Sequence, residues 1–520
     1  MARDRAKDFL NDKSRQLKTF ENIMNEQQNK TTGKERAPEV LEAAHKAWVA
    51  MADFRKRRER FMRYTFGNQW ADLVVDTMGR TMTEAEMIRR AGGNPLTNNL
   101  IRRTVKAVVG RYRRGAEAHR HAKKGAGADV SYWKRFNSAE ELDARTFEEF
   151  LISGVAIQRM GFDTRHGKAG LWIDIVDPAK FFISGVRDVR GIDAEMVGCI
   201  RDMSIEEVCM RYAGGNSQRV KKLKRIYGER DGADSFPLSG PDRGEDFFRA
   251  PEGRCRVIEV WNIELRDKLR VHDPMDATMK WVEKTDADRL KSRNCERIKH
   301  RQPACRWKEE TVALWHCRIM APDGTVLKES EHAIDNEGMH PFAVKLYPLV
   351  DGDVHPLVED VIDQQRHVNR LITTMDRMMT TAAKGVLMFP VRSKVDGMDW
   401  DDVARIWADP GGVLPYRPDD QAQPHQVVTP VSEMGAADML KTQIKMFEDV
   451  SGVSDALMGR QAASAGVGAD RYTLEIENAT VAVEDLMRAF GHFIEMRDRK
   501  LTDMVRIASR KKKTAACKEN

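Results

Sequence analysis

The densest cluster of side chains able to hold a metal or act as a nucleophile is Cys295, His300, Cys305, His316 and Cys317. A structural zinc needs four such ligands, typically in close pairs. Neither Cys-x-x-Cys nor His-Glu-x-x-His occurs, so the expectation is no metal and no cofactor. Gly33-Lys34 and Gly167-Lys168 lack the upstream glycine that lets a P-loop wrap a nucleotide. No Gly-x-Ser-x-Gly elbow presents a serine. The carboxylates Asp376, Asp401 and Asp402 are scattered rather than grouped for two metal ions. The chain is not expected to be an enzyme.

Two basic clusters remain. One runs from Arg55 to Lys124 and includes Arg111, Arg113 and Arg114; the other is Arg510 with Lys511, Lys512 and Lys513. Such clusters can meet phosphate, although a charge run is more often a solvated face. They sit in a chain of 520 residues that is 41% hydrophobic and 32% charged, with 87 Lys+Arg against 80 Asp+Glu and a net charge of +7. That length holds roughly three or four folding units that need no disulfide staples. Seven well-separated cysteines, an odd number, read as reduced thiols. No run of about 18 apolar residues predicts a membrane-spanning helix, and the charged start predicts no secretory signal.

The elements that must position these residues alternate between helix and strand, so the expected class is α+β. A polar arm (1–39) precedes a helical pattern through Leu41, Ala44, Trp48 and Met51. A turn at Gly67-Asn68 and a break at Gly92–Pro95 lead to an amphipathic helix through Leu100, Ile101, Val105 and Val108. Helix 139–153 is followed by strands at 154–162, 170–176 and 181–184, and Ser204 is placed to cap a helix. Residues 229–254 read as a polar boundary. Beyond it come strand 256–263, helix 286–301, a hairpin turning at Pro322-Asp323-Gly324, and strand 342–347.

Leu357, Val361, Val368, Ile372, Met375 and Met379 then form one apolar stripe on an uninterrupted stretch from Leu357 to Lys384. At about 1.5 Å per residue this predicts a helix of roughly 40 Å, suited to a long packed interface. A short strand follows from Val386, and helix returns at 433–450. The small-residue loop Gly459–Gly468 precedes a last long helix at 471–510.

Several short motifs follow one another along the chain. They are Phe66-Gly-Asn-Gln-Trp70, Asn98-Asn-Leu-Ile101, Gly154-Val-Ala-Ile-Gln158, Ile175-Val-Asp-Pro178 with Phe181-Phe182, and Val257-Ile-Glu-Val-Trp261. Later come Asp363-Gln364-Gln365 with Asn369, and Ser451-Gly-Val453 leading to Gly459. Each alone occurs by chance, but the ordered set over about 400 residues resembles the portal proteins of tailed double-stranded DNA phages, especially the short-tailed kind.

The resemblance implies a portal fold with a wing, a helical stem, a small α/β clip and an α-helical crown. Laid on this chain, it divides into an N-terminal arm (1–39), wing (40–255), strand and first stem helix (256–301), clip (302–355) and second stem helix (356–384). A further wing and channel region (385–455), a candidate tunnel loop (456–470), and a crown helix with basic tail (471–520) complete it. It implies channel and stem positions at Gln364, Gln365, Arg366, Asn369 and Arg370. Tunnel-loop candidates are Arg460, Gln461 and Ser464, with Thr429–Ala437 as the other segment considered. Candidate DNA contacts are Arg111, Arg113, Arg114, Lys511, Lys512 and Lys513.

The implied function is a homo-oligomeric ring, of twelve subunits in that family, at one capsid vertex of the virion. It would be assembled in the host cytoplasm and serve as the channel for DNA packaging and ejection. The implied partners are double-stranded viral DNA, the large terminase, the major capsid and scaffolding proteins and a tail adaptor, with no membrane. A basic DNA-binding structural protein of another kind, resting on the Arg55–Lys124 cluster, is the alternative; a metal-dependent nuclease is a third class with less in its favour.

Overall fold

The computed structural model of the protein describes residues 37–122, 128–165, 167–188, 191–228, 246–275, 278–330, 339–384, 386–409, 412–418, 423–427, 435–453 and 483–507. Along the chain the elements are helices α1 (Ala37–Ala50) and α2 (Ala52–Thr65), strands β1 (Leu73–Val75) and β2 (Thr81–Thr83), and helices α3 (Glu84–Arg90), α4 (Leu100–Ala122), α5 (Ala128–Phe136) and α6 (Ala139–Ser153). Next are β3 (Val155–Arg165), β4 (Lys168–Ile175), β5 (Phe181–Ile183), β6 (Met196–Met203), α7 (Ile205–Tyr212) and α8 (Ser217–Gly228). Strands β7 (Cys255–Asp273) and β8 (Thr278–Glu283), helix α9 (Ala287–Lys299), and strands β9 (Arg306–Met320), β10 (Val326–Ser330) and β11 (Phe342–Leu346) follow. Two short strands, β12 (Leu349–Val350) and β13 (Asp353–Val354), precede α10 (Leu357–Lys384), β14 (Val386–Met388), α11 (Trp400–Ala408), β15 (His425–Val427) and α12 (Ala436–Ser451). The last described helix, α13, covers 483–507. The fold is mixed helix and sheet, as expected. The proposed N-terminal arm apart from residues 37–39, most of the 229–254 boundary and the 459–468 loop lie outside the described residues.

The chain forms two compact units, one from residues 1–59, 109–356 and 485–520, the other from 60–108 and 357–484. The first is built on an antiparallel sheet of order β10-β9-β7-β6-β5, with β8 added to the far half of β7, and a second sheet of order β11-β3-β4. Strands β3, β5 and β11 begin with consecutive buried residues, because the inner parts of these strands are covered on both faces. Val155, Ile157, Phe181, Val197, Trp261, Phe342 and Val344 share one core. Helix α1 covers the opposite side through Leu41, Ala44 and Trp48 against Phe182, Ile258 and Met320. Fully burying each such large apolar side chain stabilises by about 1.5–3 kcal/mol.

Helix α13 is held against this unit by rings and by buried charge. Phe490 packs on Tyr112, Phe147 and Phe150. The buried Arg497 guanidinium meets Asp143 and donates to Gln158 at 3.1 Å, and Lys500 donates to the backbone oxygens of His340 and Phe342. The helix assigned to a crown is therefore packed into the same core as α6 and β11.

Strands β7 and β9 run on past the main sheet, paired from Ile258↔Met320 to His272↔Arg306. At their far end β8 and α9 close a small lobe with its own core of Leu269, Val271, Leu290 and Cys305. Arg297 of α9 holds Asp273 through two hydrogen bonds of 2.7 Å. The segment 302–355 consequently shares its sheets with 40–255: β9 and β10 lie in the sheet of β5 and β6, and β11 pairs with β3. The predicted hairpin at Pro322–Gly324 and the Ser204 cap, which accepts from the Glu207 amide at 3.2 Å, are present.

In the second unit α10 spans the predicted 28 residues, with α12 packed along it. Short hairpins β1–β2 and β14–β15, with α3 and α11, complete the described part.

Two substitutions test the packing of the first unit. A Cβ on Gly198 would lie 2.2 Å from the Phe182 ring and 2.4 Å from the Glu259 carbonyl oxygen of the adjacent strand. That strand cannot retreat without breaking its ladder, so Gly198→Ala is expected to cost about 3 kcal/mol in urea unfolding. Glu259 is buried between Arg159 (3.0 Å) and Arg201 (2.7 Å). Burial pushes its pKa up, but the two guanidiniums outweigh this and hold it at about 2, below the ordinary 4.5. Its contribution is complete above pH 4.5 and is lost as pH falls towards about 2. Glu259→Gln, which leaves two cations without their carboxylate, should lower stability by about 3 kcal/mol at neutral pH. The gap to wild type should narrow in urea melts repeated at about pH 3.

Candidate functional site

The start of α4 is buried, and its first amides have no partner inside their own helix. The long helix α10 supplies the acceptors from outside. Gln365, 0% exposed, accepts from the amides of Leu100 (2.8 Å) and Ile101 (3.2 Å) and donates to the Asn98 carbonyl (2.7 Å) and Asn369 Oδ1 (3.0 Å). One helical turn further on, Asn369 accepts from the Asn98 amide (3.0 Å) and donates to Gln69 Oε1 (2.6 Å). A turn beyond that, Thr373 accepts from the Leu96 amide (3.1 Å).

Asn99 completes the cap, accepting from the Arg102 amide at 2.9 Å and donating to the Thr65 carbonyl at 2.9 Å. The i, i+4, i+8 spacing puts all three α10 side chains on one face, aimed at one loop. Three of the ordered motifs, at Gln69, Asn98-Asn99 and Gln365/Asn369, are thus one hydrogen-bonded cluster.

Two other expected channel positions are also engaged within the chain. Arg370 donates to Glu84 at 2.7 Å and Arg366 reaches the same buried carboxylate at 3.5 Å. Gln364 is half-buried on the flank of α10. Glu84 and Gln69, the partners of these groups, were missed by the sequence reading. Gln69 lies inside the Phe66–Trp70 motif, and no local signal in the sequence marks Glu84.

The Arg55–Lys124 cluster is largely tied up by carboxylates and rings. Arg58 pairs with Glu149 (2.7 Å) and Asp177 (3.0 Å), and Arg57 with Asp353 (2.8 Å). Arg60 and Arg63 share Asp72, and Arg90 pairs with Glu86. Arg55 lies 3.8 Å over the Trp48 ring, and Arg102 stacks on Phe66. Of the candidate DNA contacts, Arg113 pairs with Glu141 at 3.1 Å, Arg111 is half-buried and Arg114 is exposed. Lys511, Lys512, Lys513, Arg460, Gln461 and Ser464 lie outside the described residues.

The first unit also has a cleft of about 940 Å³ whose walls carry Arg159, Arg165, Lys180, Arg201 and Arg211. Each cation there already has a carboxylate: Glu259 for Arg159 and Arg201, Asp174 and Asp163 for Arg165, Asp202 for Lys180, and Asp163 with Glu207 for Arg211. The cleft is charge-matched and offers no surplus of positive charge for an anion.

The cysteine and histidine cluster is dispersed. Cys305 accepts from Arg297 at 3.0 Å inside the small lobe, and Cys295 is exposed on α9. His316 bonds Glu329 at 2.8 Å in the main sheet, and Cys317 is buried in the core beside Trp261. Among the described residues no group of three or more His, Cys, Asp or Glu could hold a metal ion. Asp402 belongs to the capping box that starts α11.

The cluster around Gln365 makes a direct prediction. Gln365→Leu keeps the volume but strands the buried Ile101 amide, at about 1–3 kcal/mol, and takes the second partner from the Leu100 amide and the Asn98 carbonyl, which stay bonded to each other at 2.9 Å. Urea unfolding of the variant should show a loss of about 3 kcal/mol, and the double variant with Asn369→Leu should lose less than the sum of the two single changes.

The family described as phage P22-like portal protein matches residues 41–506, a span that takes in both units. No curated protein matches the chain. No described helix is long and apolar enough to cross a membrane. Matched over most of its length, the chain belongs to the family of phage P22-like portal proteins.

Proposed function

We propose that this chain assembles into a closed ring at one capsid vertex and forms the passage through which viral DNA is packaged and later ejected. In this reading it performs no catalysis, docks the terminase motor during packaging and then holds the tail adaptor. The observation that carries the reading is the family match from residue 41 to 506, because it covers both units rather than one transferable module.

The electrostatics support it. A duplex sliding through a ring must not be gripped, since every phosphate neutralised by a lysine or arginine adds counterion-release free energy that opposes motion. Here 87 basic residues face 80 acidic ones, and much of the Arg55–Lys124 cluster is paired within the chain. The same pairing removes much of the support for a tight DNA binder of another kind. Within the reading, α9 and α10 remain the proposed stem helices and 302–355 the proposed clip. The engagement of Gln365 and Asn369 with the α4 start gives them a structural part in addition to any place near the channel.

Negative-stain imaging and native mass spectrometry of the purified chain test the proposal. The expected result is a large ring with an axial hole; a monomer or dimer under all conditions overturns it. Duplex binding by the ring should also be weak at physiological salt, and Arg111→Ala, Arg113→Ala and Arg114→Ala together should change it by no more than a few-fold, about 1 kcal/mol.

A further inference from the structure

Helix α8 carries Arg219, Lys221, Lys222, Lys224 and Arg225 and no acidic residue. All five cations are exposed. The helix is seated by its other side, where Val220, Leu223 and Tyr227, at intervals of 3 and 4, share a core with Met203, Val208, Cys255 and Val257. The Tyr227 hydroxyl donates to the Arg256 carbonyl at 2.8 Å and so fixes the roll of the helix on the start of β7.

The arginines of α2 are matched by carboxylates, Arg58 by Glu149 and both Arg60 and Arg63 by Asp72. On α8 the balance differs. No described carboxylate pairs with Arg219, Lys221, Lys222 or Lys224. The sequence that follows, 229–245, has five acidic and two basic side chains, a net charge of −3 that cannot match the +5 of the helix.

We propose that the outward face of α8 is a docking surface for the phosphate backbone of duplex DNA. The chemistry of the face selects among anionic partners. Its exposed side chains are Ser217, Gln218 and the five cations, with no apolar or aromatic group among them. Protein–protein interfaces are built on such groups and are depleted in lysine, whereas protein–DNA interfaces are polar and strongly positive. A membrane surface is excluded, because the apolar side that a helix would insert is already used in the core. Lysines are point charges on flexible stems, able to follow phosphates without reading sequence.

The face lies far from α9, the proposed stem helix of the same unit. Helix α8 sits at the Cys255–Val257 end of β7, and α9 closes the lobe whose core begins at Leu269. At about 3.3 Å per residue, Val257 to Leu269 spans roughly 40 Å along the strand. A phosphate held on α8 is held away from α9, so the reason a passage must not grip its duplex does not apply to it. The face is complete in one subunit, and the inference therefore does not rest on the ring reading.

Fluorescence anisotropy of a short labelled duplex, titrated with the full chain between about 50 and 200 mM salt, tests the surface. Wild type is compared with Lys221→Gln/Lys222→Gln and with Lys46→Gln/Lys441→Gln, which removes the same charge from two lysines already paired with acids. The α8 variant should bind several-fold more weakly at the lowest salt, and its plot of log affinity against log salt should be shallower by about 2. The control should bind like wild type. Equal binding by the two variants overturns the proposal, as does a wild type that binds no duplex at the lowest salt; neither result touches the ring reading. Polyglutamate that competes as well as duplex of equal charge also overturns it, by making α8 a site for an acidic protein.

Should the α8 variant lose its circular dichroism, acetylation of the unaltered protein decides instead. Duplex should slow modification of Lys221, Lys222 and Lys224 several-fold and leave Lys46 and Lys441 unchanged. Uniform protection, or none, overturns the assignment.

Discussion

A buried helix start cannot be left with bare amides, and in this protein that requirement ties together segments far apart in the chain. The amides of Leu100 and Ile101 are satisfied by Gln365, 265 and 264 residues away. An apolar stripe alone fixes a long helix poorly, because sliding by a turn presents an almost equivalent row of side chains. Gln365, Asn369 and Thr373 remove that degeneracy. Slippage of α10 by one turn would take these acceptors away from the Asn98 amide and from the buried Ile101 amide, the latter at about 1–3 kcal/mol. The register of the longest helix is therefore set by hydrogen bonds, while its adhesion comes from Val358, Val361 and Val368.

The first unit solves a related problem with charge. Helix α13 is anchored by the buried Arg497, which meets Asp143 and Gln158, and by Lys500, which caps two backbone carbonyls beside β11. Removing two cations from water is costly, and the cost is offset only where acceptors surround them. Here they do, so the last described helix has one well-defined seat against a sheet formed more than 130 residues earlier. Glu259 plays the converse part, an anion held between Arg159 and Arg201. Arg497 and Glu259 thus each meet opposite charge, whereas Lys500 is met by backbone carbonyls.

Local periodicity was legible in the sequence because it depends on neighbours three or four residues away. Helix Leu357–Lys384, helix Ala139–Ser153 and the Ser204 cap all follow from such spacing. Strand β7 was legible only to Ile263, although it runs to Asp273, because Glu264 to Lys268 is charged and resembles a loop. Those charges are accommodated across the ladder, with Lys268 on Glu283 and Asp267 accepting from Thr311. The destinations of Gln365 and Asn369 were not legible at all, since their partners lie 264 to 300 residues away. What the ordered motifs did carry was their joint presence, and the structure supplies a reason: several of them bond to one another.

Between the main sheet and the small lobe, residues 263–267 and 311–315 form a ribbon with no third described strand beside it. A two-stranded ribbon is marginal alone in water. This one is stiffened along one side, where Glu264 accepts from Arg318 at 2.6 Å and from Arg266 at 3.2 Å, and His316 bonds Glu329. Its other side shows Ile263 and Leu265 to solvent. The lobe keeps a separate core, so bending the ribbon moves Leu269, Val271, Leu290 and Cys305 as one body and breaks none of their contacts. Bending has to disturb this charged ladder, in which the Arg318–Glu264 pair is buried, with side chains 2% and 10% exposed, so breaking it is costly. The link between the two cores of the first unit is therefore polar and local, two strands wide and locked by the buried Arg318–Glu264 pair.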